Sequence, residues 1–295
     1  MRLPPKQSKQ LYSRRQNYFI DADSGAEIAR QMRQEMLITP AMGGLFVEHP
    51  DLSQVDRILD IYCGPGSWSL ELAYMYPEIE VVGIDTNRNM IDYARAQARV
   101  QGLENVYFQT MNPKNLLDFP DGSFDIVNAR FIAPYLYKRD WPAVLHEFAR
   151  VTCPGGIIRL TEFDEMGLSN SAACNKMARL YAQALHHNGQ SFHPLPDGPH
   201  LCITPMLAAF LEKAGCQNIQ EKLHALNYSV GSEAYHSNYE NLKVAYKLGQ
   251  PFLLQMEVAT QQELDELYEQ MLLEMLADDF HAIWYFLTVW GYKSF

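Results

Sequence analysis

"ILDIYCGPGSW", residues 58–68, runs from an apolar stretch into a Gly-Pro-Gly turn and carries one carboxylate, Asp60, inside the apolar run. A corner of this kind is either an ordinary strand-to-helix turn or the floor of a ligand site, and the flanking segments decide between them. The runs RILDIY (57–62), EVVGID (80–85) and NVYFQ (105–109) carry strand signatures, while WSLELAYMY (68–76) and NMIDYARAQARV (89–100) place apolar residues on one helical face. Thr86 or Asn87 can cap the second helix and Pro77 can stop the first. Strand and helix alternate, which calls for a largely parallel sheet with helices on its faces.

The alternation continues with SFDIVNAR (123–130) as a fourth strand, WPAVLHEFARV (141–151) as a helix with proline in its first turn, and GGIIRLTEF (155–163) as a fifth strand. The rhythm breaks over 164–200, where an amphipathic run is followed by NGQSFHPLPDGPH, too rich in Gly, Pro and His for a strand. The expected organisation is an amino-terminal helical lid (1–50), a core (51–163), a lid insertion (164–200), a core continuation (201–232), a second helical insertion (233–279) and a closing strand (280–295). Within the second insertion, Thr260 and Glu263 form a capping-box pair ahead of Leu264, Leu267, Met271 and Met275 at helical spacing.

A chain of 295 residues can bury one substantial α/β core with added layers. The net charge of -11, with no long basic run, opposes a phosphate-covered surface, so no nucleic acid is expected as partner. Five cysteines without a C-x-x-C pair read as reduced thiols. The polar, basic amino end lacks the apolar stretch of a signal peptide, and no later run is long and uncharged enough to span a bilayer, so the expectation is a cytoplasmic protein with no membrane association.

In an open parallel sheet, small ligands collect beyond the carboxyl ends of the strands. Gly64 and Gly66 permit close approach, and the helix starting near Trp68 offers unpaired N–H groups, which suits a carboxylate or phosphate. Asp85 ends the second strand about 20 residues after the turn, as suits an acid that accepts the hydroxyls of a ribose; the alternative is a helix-capping acid.

Four ordered segments together carry a resemblance: Asp60 to Gly66, Asp85, FPDGSFDIVNAR and RVTCPGGIIRL. The run from about 57 to 163 resembles the core of a class I S-adenosylmethionine (SAM)-dependent methyltransferase of the methyltransferase type 11 or UbiE-like kind. The resemblance implies a Rossmann-like α/β fold: a seven-stranded, mostly parallel sheet with helices on both faces, elaborated by helical lids, its closing strand antiparallel beside the fifth. It further implies that Asp60 orients the amino-acid end of SAM, that Gly64 and Gly66 pass close to it, and that Asp85 holds the ribose. Thr86 and Asn87 would follow that acid, with Asn87 or Arg88 bordering the adenine, Met111 and Asn112 would lie against the adenine, and Asn128 would face the methionine portion. Tyr62 stands where the family has Gly or Ala, so its ring must run along or above the cofactor tail, and Asn112 replaces an acid.

A methyl sulfonium is an activated donor, so the protein chiefly has to align an acceptor and exclude water, with a base where the acceptor begins protonated. No metal is needed, and no tight His and carboxylate cluster occurs in the sequence. The amino-terminal run is expected to fold as a short and a longer helix over the mouth, with Tyr18 and Phe19 either closing on the sulfonium or anchoring the lid. Arg130, Phe131 and Tyr135 follow the fourth strand, where the methyl would emerge, and His186, His187 and His193 lie in the first insertion; Tyr18, Arg130, His186 and His193 are the catalytic candidates. From Pro251 to Asp279 there are eight acidic residues and no Lys or Arg, which reads as a solvated face behind an apolar stripe that packs on the lid or across a homodimer. The expected function is methyl transfer to a small, largely apolar or aromatic acceptor, in specialised metabolism. The alternative is a protein of this fold that binds the nucleoside without methylating, with a nicotinamide-dependent oxidoreductase or a macromolecular methyltransferase further behind.

Overall fold

The computed structural model describes residue 20, residues 24–49 and residues 51–294. Tyr18 and Phe19 lie outside the described residues. Strands β1 (Arg57–Ile61), β2 (Glu80–Asp85), β3 (Val106–Thr110), β4 (Phe124–Arg130) and β5 (Thr152–Glu162) are parallel and run β3-β2-β1-β4-β5 across the sheet. Residues 58–61 of β1 are all buried, the pattern of a central strand covered on both faces.

The helices α2 (Ser67–Met75), α3 (Arg88–Gln101) and α4 (Trp141–Val151) connect these strands. Asn87 caps α3, its side chain accepting the Met90 N–H at 3.0 Å, which decides between the two caps the sequence offers. The apolar core forms on both faces: Ile58, Val81, Val106 and Ile126 pack with Trp68, Leu72, Ile91 and Ala94, while Leu59, Val82 and Val127 pack on the other side with Trp141, Leu145 and Phe148. Alternate residues of each strand point to opposite faces, so both faces are supplied by the same short runs.

Beyond β5 the chain makes β6 (Leu168–Ser169), α5 (Ala172–His187), α6 (Leu207–Lys213), β7 (Cys216–Asn227), α7 (Tyr235–Gln255), α8 (Gln261–Met275) and β8 (Ala282–Lys293). Strand β8 lies antiparallel between β5 and β7, as the resemblance implies. The sheet has eight strands rather than seven, because the two-residue β6 pairs with the start of β8 and uses backbone groups the longer strand leaves open. Thr260 and Glu263 form the capping box of α8, and Leu264, Met271 and Met275 are fully buried in the core of the chain itself. That apolar stripe is therefore consumed within the chain.

Helix α1 (Gly25–Met42) packs along α7 and crosses the carboxyl edge of the sheet. Its inner face is polar in the first half, and Leu37, Ile38 and Met42 make it apolar in the second. Glu27 and Arg30, both buried, form a two-bonded pair at 2.7 Å, Arg30 also donates to Gln34 at 2.6 Å and to Asn241 of α7 at 3.1 Å, and Gln31 donates to Glu27 at 2.8 Å. Among the described residues, no helix is long and apolar enough to cross a membrane.

The glycine corner is sterically fixed. Gly66, the residue preceding α2, has φ +81°, and a Cβ placed on it would come within 2.7 Å of the Phe108 ring and 2.8 Å of the Ala94 methyl. Gly102, which ends α3 at φ +68°, has open space around that position. Gly66→Ala should thus cost about 3 kcal/mol, overpacking added to backbone strain, whereas Gly102→Ala should cost only about 1 kcal/mol. Urea unfolding of the two variants checks this; equal losses of midpoint would contradict it.

Candidate active site

Asp60 sits on β1 opposite Asn128 of β4. Its carboxylate accepts the Ser69 hydroxyl of α2 at 2.6 Å and the Asn128 amide at 2.9 Å. The Asn128 carbonyl oxygen in turn accepts from Arg159 of β5 at 2.7 Å, and Arg159 pairs with Glu48 behind it. Burial pushes the Asp60 carboxyl up to about 6, against the opposing pull of the Arg130 charge and the two hydrogen bonds.

Asp85 ends β2 and is 4 % exposed. One oxygen accepts the Gly64 N–H at 3.0 Å and the other the Asn87 N–H at 2.7 Å, so the acid ties the glycine corner to the start of α3. Burial raises it to about 6 as well, opposed chiefly by these amide bonds. The Thr86 N–H is a third, weaker backbone donor to the same carboxylate.

A cavity opens over the carboxyl ends of β1, β4 and β5. Its polar lining is Arg30, Gln31, Gln34 and Glu35 of α1, with Asp60, Ser67 and Arg130; its apolar lining includes Phe131, Pro134, Phe163 and Met166. Tyr62, Cys63 and Gly64 form its floor at the glycine corner. Tyr62 has φ +54° and Phe131 φ +56°, two aromatic residues in the left-handed region directly after adjacent strands. The Tyr62 ring stacks on Tyr135 with centroids 4.7 Å apart, and its buried hydroxyl has no partner among the described residues. Glu35 holds Arg130 through two bonds of 3.1 and 2.8 Å, and the guanidinium lies 5.2 Å from the Trp68 ring centre.

The structure thus brings together Asp60, Tyr62, Gly64 and Arg130 around one cavity, with Asn128 bonded to Asp60. Gly66 lies beneath, packed on Phe108. Asp85, Thr86, Asn87, Met111 and Asn112 sit at the β2 and β3 side and are not part of this lining; the Asn112 side chain accepts the Lys114 N–H in a local turn. His186 and His193 also lie outside the lining. The Nδ1 atom of His193 contacts the backbone of Leu195, and its ring packs against Gly198. Burial holds the His186 imidazole below its ordinary range.

Sequence reasoning assigned α1 a covering role but missed Gln31, Gln34 and Glu35. Their signal is a polar stripe at positions 27, 30, 31, 34 and 35, helical spacing that ordinarily marks an apolar inner face. It also missed Glu162, the last residue of β5. One oxygen of that carboxylate accepts the Ile132 and Ala133 N–H groups at 2.7 and 3.0 Å, fixing the turn that carries Phe131 and Tyr135, and burial pushes the group up to about 8.

Residues 58–156 match the model of a methyltransferase domain. An uncharacterized methyltransferase of Schizosaccharomyces pombe is 34 % identical over 119 residues, 38 % of this chain and 42 % of that protein. A demethylmenaquinone methyltransferase of Geobacillus kaustophilus is 39 % identical over 102 residues, 34 % of this chain and 42 % of that protein. A methyltransferase of Strobilurus tenacellus, str3, is 32 % identical over 123 residues, 40 % of this chain and 41 % of that protein. The chain matches about two fifths of the length of these curated relatives. The matched segment, which is similar to a methyltransferase domain, contains Asp60, the glycine corner, Asp85 and Asn128.

The buried acid at the centre of the site has a measurable signature. The folded state binds the Asp60 proton more tightly than an ordinary carboxyl of value 3.8, so its contribution to stability is present below that value and is lost as pH rises through about 6. Asp60→Asn keeps the shape and removes that loss. Relative to the parent, the variant should gain about 3 kcal/mol between about pH 4 and pH 7. Chemical unfolding at several pH values checks this, and a pH-independent difference would refute it.

Proposed function

We propose that this chain is a SAM-dependent methyltransferase acting on a small acceptor held in the cavity under α1. The observation that carries the reading is the coincidence of the matched segment with the edge of the sheet where Asp60, the bare backbone of Gly64 and Asp85 converge. The acceptor being a small molecule is supported by the partial cover that α1 and Ala245 of α7 give the cavity. The name of the Geobacillus relative also points to a small acceptor.

The residues present fit SAM by the chemistry of their donors and acceptors. Asp60 is an acceptor suited to the ammonium of the amino-acid end, and its raised proton affinity leaves it largely ionised at neutral pH. Gly64 presents backbone without a side chain at φ +55°, in the left-handed region that favours glycine, and a Cβ there would lie 2.5 Å from the movable end of the Gln31 side chain. Asp85 is a carboxylate acceptor suited to the hydroxyls of a ribose, held in place by the Gly64 and Asn87 N–H groups. When bound, SAM supplies an electrophilic methyl on a sulfonium.

The chain's own contribution is alignment and exclusion of water. Phe131, Phe163 and Met166 form an apolar wall on the β4 and β5 side, and the stacked Tyr62 and Tyr135 close the β1 side. Glu162 holds the turn bearing Phe131 and Tyr135 so that the wall is rigid. Gln31 and Glu35 roof the site, keeping water from the reacting groups. The histidines of the first insertion have no task in this reading.

Calorimetry provides the test. The parent protein should bind S-adenosylhomocysteine in the micromolar range, and Asp85→Asn should bind it at least about tenfold more weakly, since a charged acceptor for two hydroxyls becomes a neutral one. Absence of binding of both SAM and S-adenosylhomocysteine at millimolar concentration would end the proposal.

A further inference from the structure

We infer that helix α1 reads the amino-acid end of SAM: the Gln31 carbonyl oxygen takes its ammonium and the Gln34 amide takes its carboxylate, so that α1 selects nucleosides carrying that end. The inference rests on the cofactor reading proposed above.

The two side chains stand three residues apart on one helical face, and both line the cavity. The buried Glu27 and Arg30 pair behind them fixes which end of each amide is free. A carboxylate only accepts, so Glu27, which takes the Gln31 Nε2 donor at 2.8 Å, leaves the Gln31 oxygen free. A guanidinium only donates, so Arg30, which gives Nη1 to the Gln34 oxygen at 2.6 Å, leaves the Gln34 amide N–H groups free. Neither Gln31 Oε1 nor Gln34 Nε2 has a hydrogen-bond partner among the described residues, and neither is shielded from solvent. The Gln31 oxygen lies over the glycine corner, 2.5 Å from the place a Gly64 Cβ would take.

Charge carries through the amides. Glu27 and Arg30 bind each other through two bonds of 2.7 Å, and each also polarises the amide it holds. The carboxylate on the N–H side makes the Gln31 oxygen a stronger acceptor, and the guanidinium on the oxygen side makes the Gln34 N–H groups stronger donors. The roof thus presents a negative pole over the corner and a positive pole three residues further along α1, while the ion pair behind it is neutral as a whole. An α-amino acid carries the matching pair of poles on one carbon. Its ammonium finds acceptors in the Gln31 oxygen and the Asp60 carboxylate of the same lining, and its carboxylate finds a donor in Gln34. A nucleoside without that end leaves both amides to water.

The test is calorimetry of the whole protein with S-adenosylhomocysteine, with its decarboxylated analogue, which keeps the ammonium alone, and with methylthioadenosine, which lacks both groups. The parent should bind S-adenosylhomocysteine at least about tenfold more tightly than methylthioadenosine. Gln34→Glu keeps an oxygen for Arg30 and replaces the donor by a charged acceptor. It should lower the ratio of S-adenosylhomocysteine to methylthioadenosine affinity at least about tenfold and leave the ratio for the decarboxylated analogue undiminished. Gln31→Met, of similar length, removes the oxygen and should lower both ratios about tenfold. Thermal unfolding shows that each variant is folded, and a role in packing alone would shift all three affinities together without altering the ratios. A parent that does not prefer S-adenosylhomocysteine to methylthioadenosine, an unchanged ratio in either variant, or a Gln34→Glu loss that extends to the decarboxylated analogue would overturn the subsite alone. A parent that binds none of the three at millimolar concentration would overturn the methyltransferase reading and the subsite with it.

Discussion

A carboxylate held between a helix and the neighbouring strand governs the arrangement of this protein. Asp60 accepts from Ser69 on α2 and Asn128 on β4, Asn128 accepts from Arg159 on β5, and Arg159 is held by Glu48 in the segment that follows α1. The chain of bonds crosses the sheet through its apolar core, where an unmatched polar group would cost several kcal/mol by roughly the difference between water and an apolar medium. These bonds link β1, β4 and β5 side by side and leave Asp60 facing the cavity, while Arg159 Nη2 and Glu48 Oε2 at the far end are buried without a partner among the described residues.

The same logic explains the polar face of α1. A helix that packs on the body of a protein normally does so with apolar residues, yet here Glu27, Arg30, Gln34 and Asn241 satisfy one another at the contact with α7. Removing either charge of the buried pair would strand the other, so the contact is directional in a way that an apolar stripe is not. The consequence is a roof whose polar atoms point at the site. Gln31 reaches the glycine corner and Glu35 reaches Arg130, and both depend on α1 lying at one height over the sheet.

Tyr62 and Phe131 give the cavity its aromatic walls at the expense of unfavourable backbone. Both follow the ends of central strands, where the chain must turn sharply, and both are held there by surrounding contacts: Tyr62 by Tyr135, and Phe131 by its N–H bond to Thr161 at 2.8 Å and by the Phe163 and Trp284 rings. Glycine would be relaxed at either position but would leave the cavity without a wall.

Much of the core was legible in the residues. The runs at 58–61, 80–85 and 124–130 are short, apolar and bounded by turn residues, and burial on both faces of a parallel sheet demands that composition, so each became a strand close to its expected limits. The Thr260 capping box was legible too, because its partners lie three residues apart. The choice of Asn87 over Thr86 as cap, the turning of Asp85 onto the Gly64 and Asn87 amides, and the position of His186 and His193 outside the cavity lining depended on the folded backbone. The pairing of Arg130 with Glu35, 95 positions away, depended on it most. Local periodicity reports which face of an element is buried, since that follows from backbone geometry alone. Which side chains meet across the site is set by how α1 and the strands pack, and no spacing within a single segment encodes that distance.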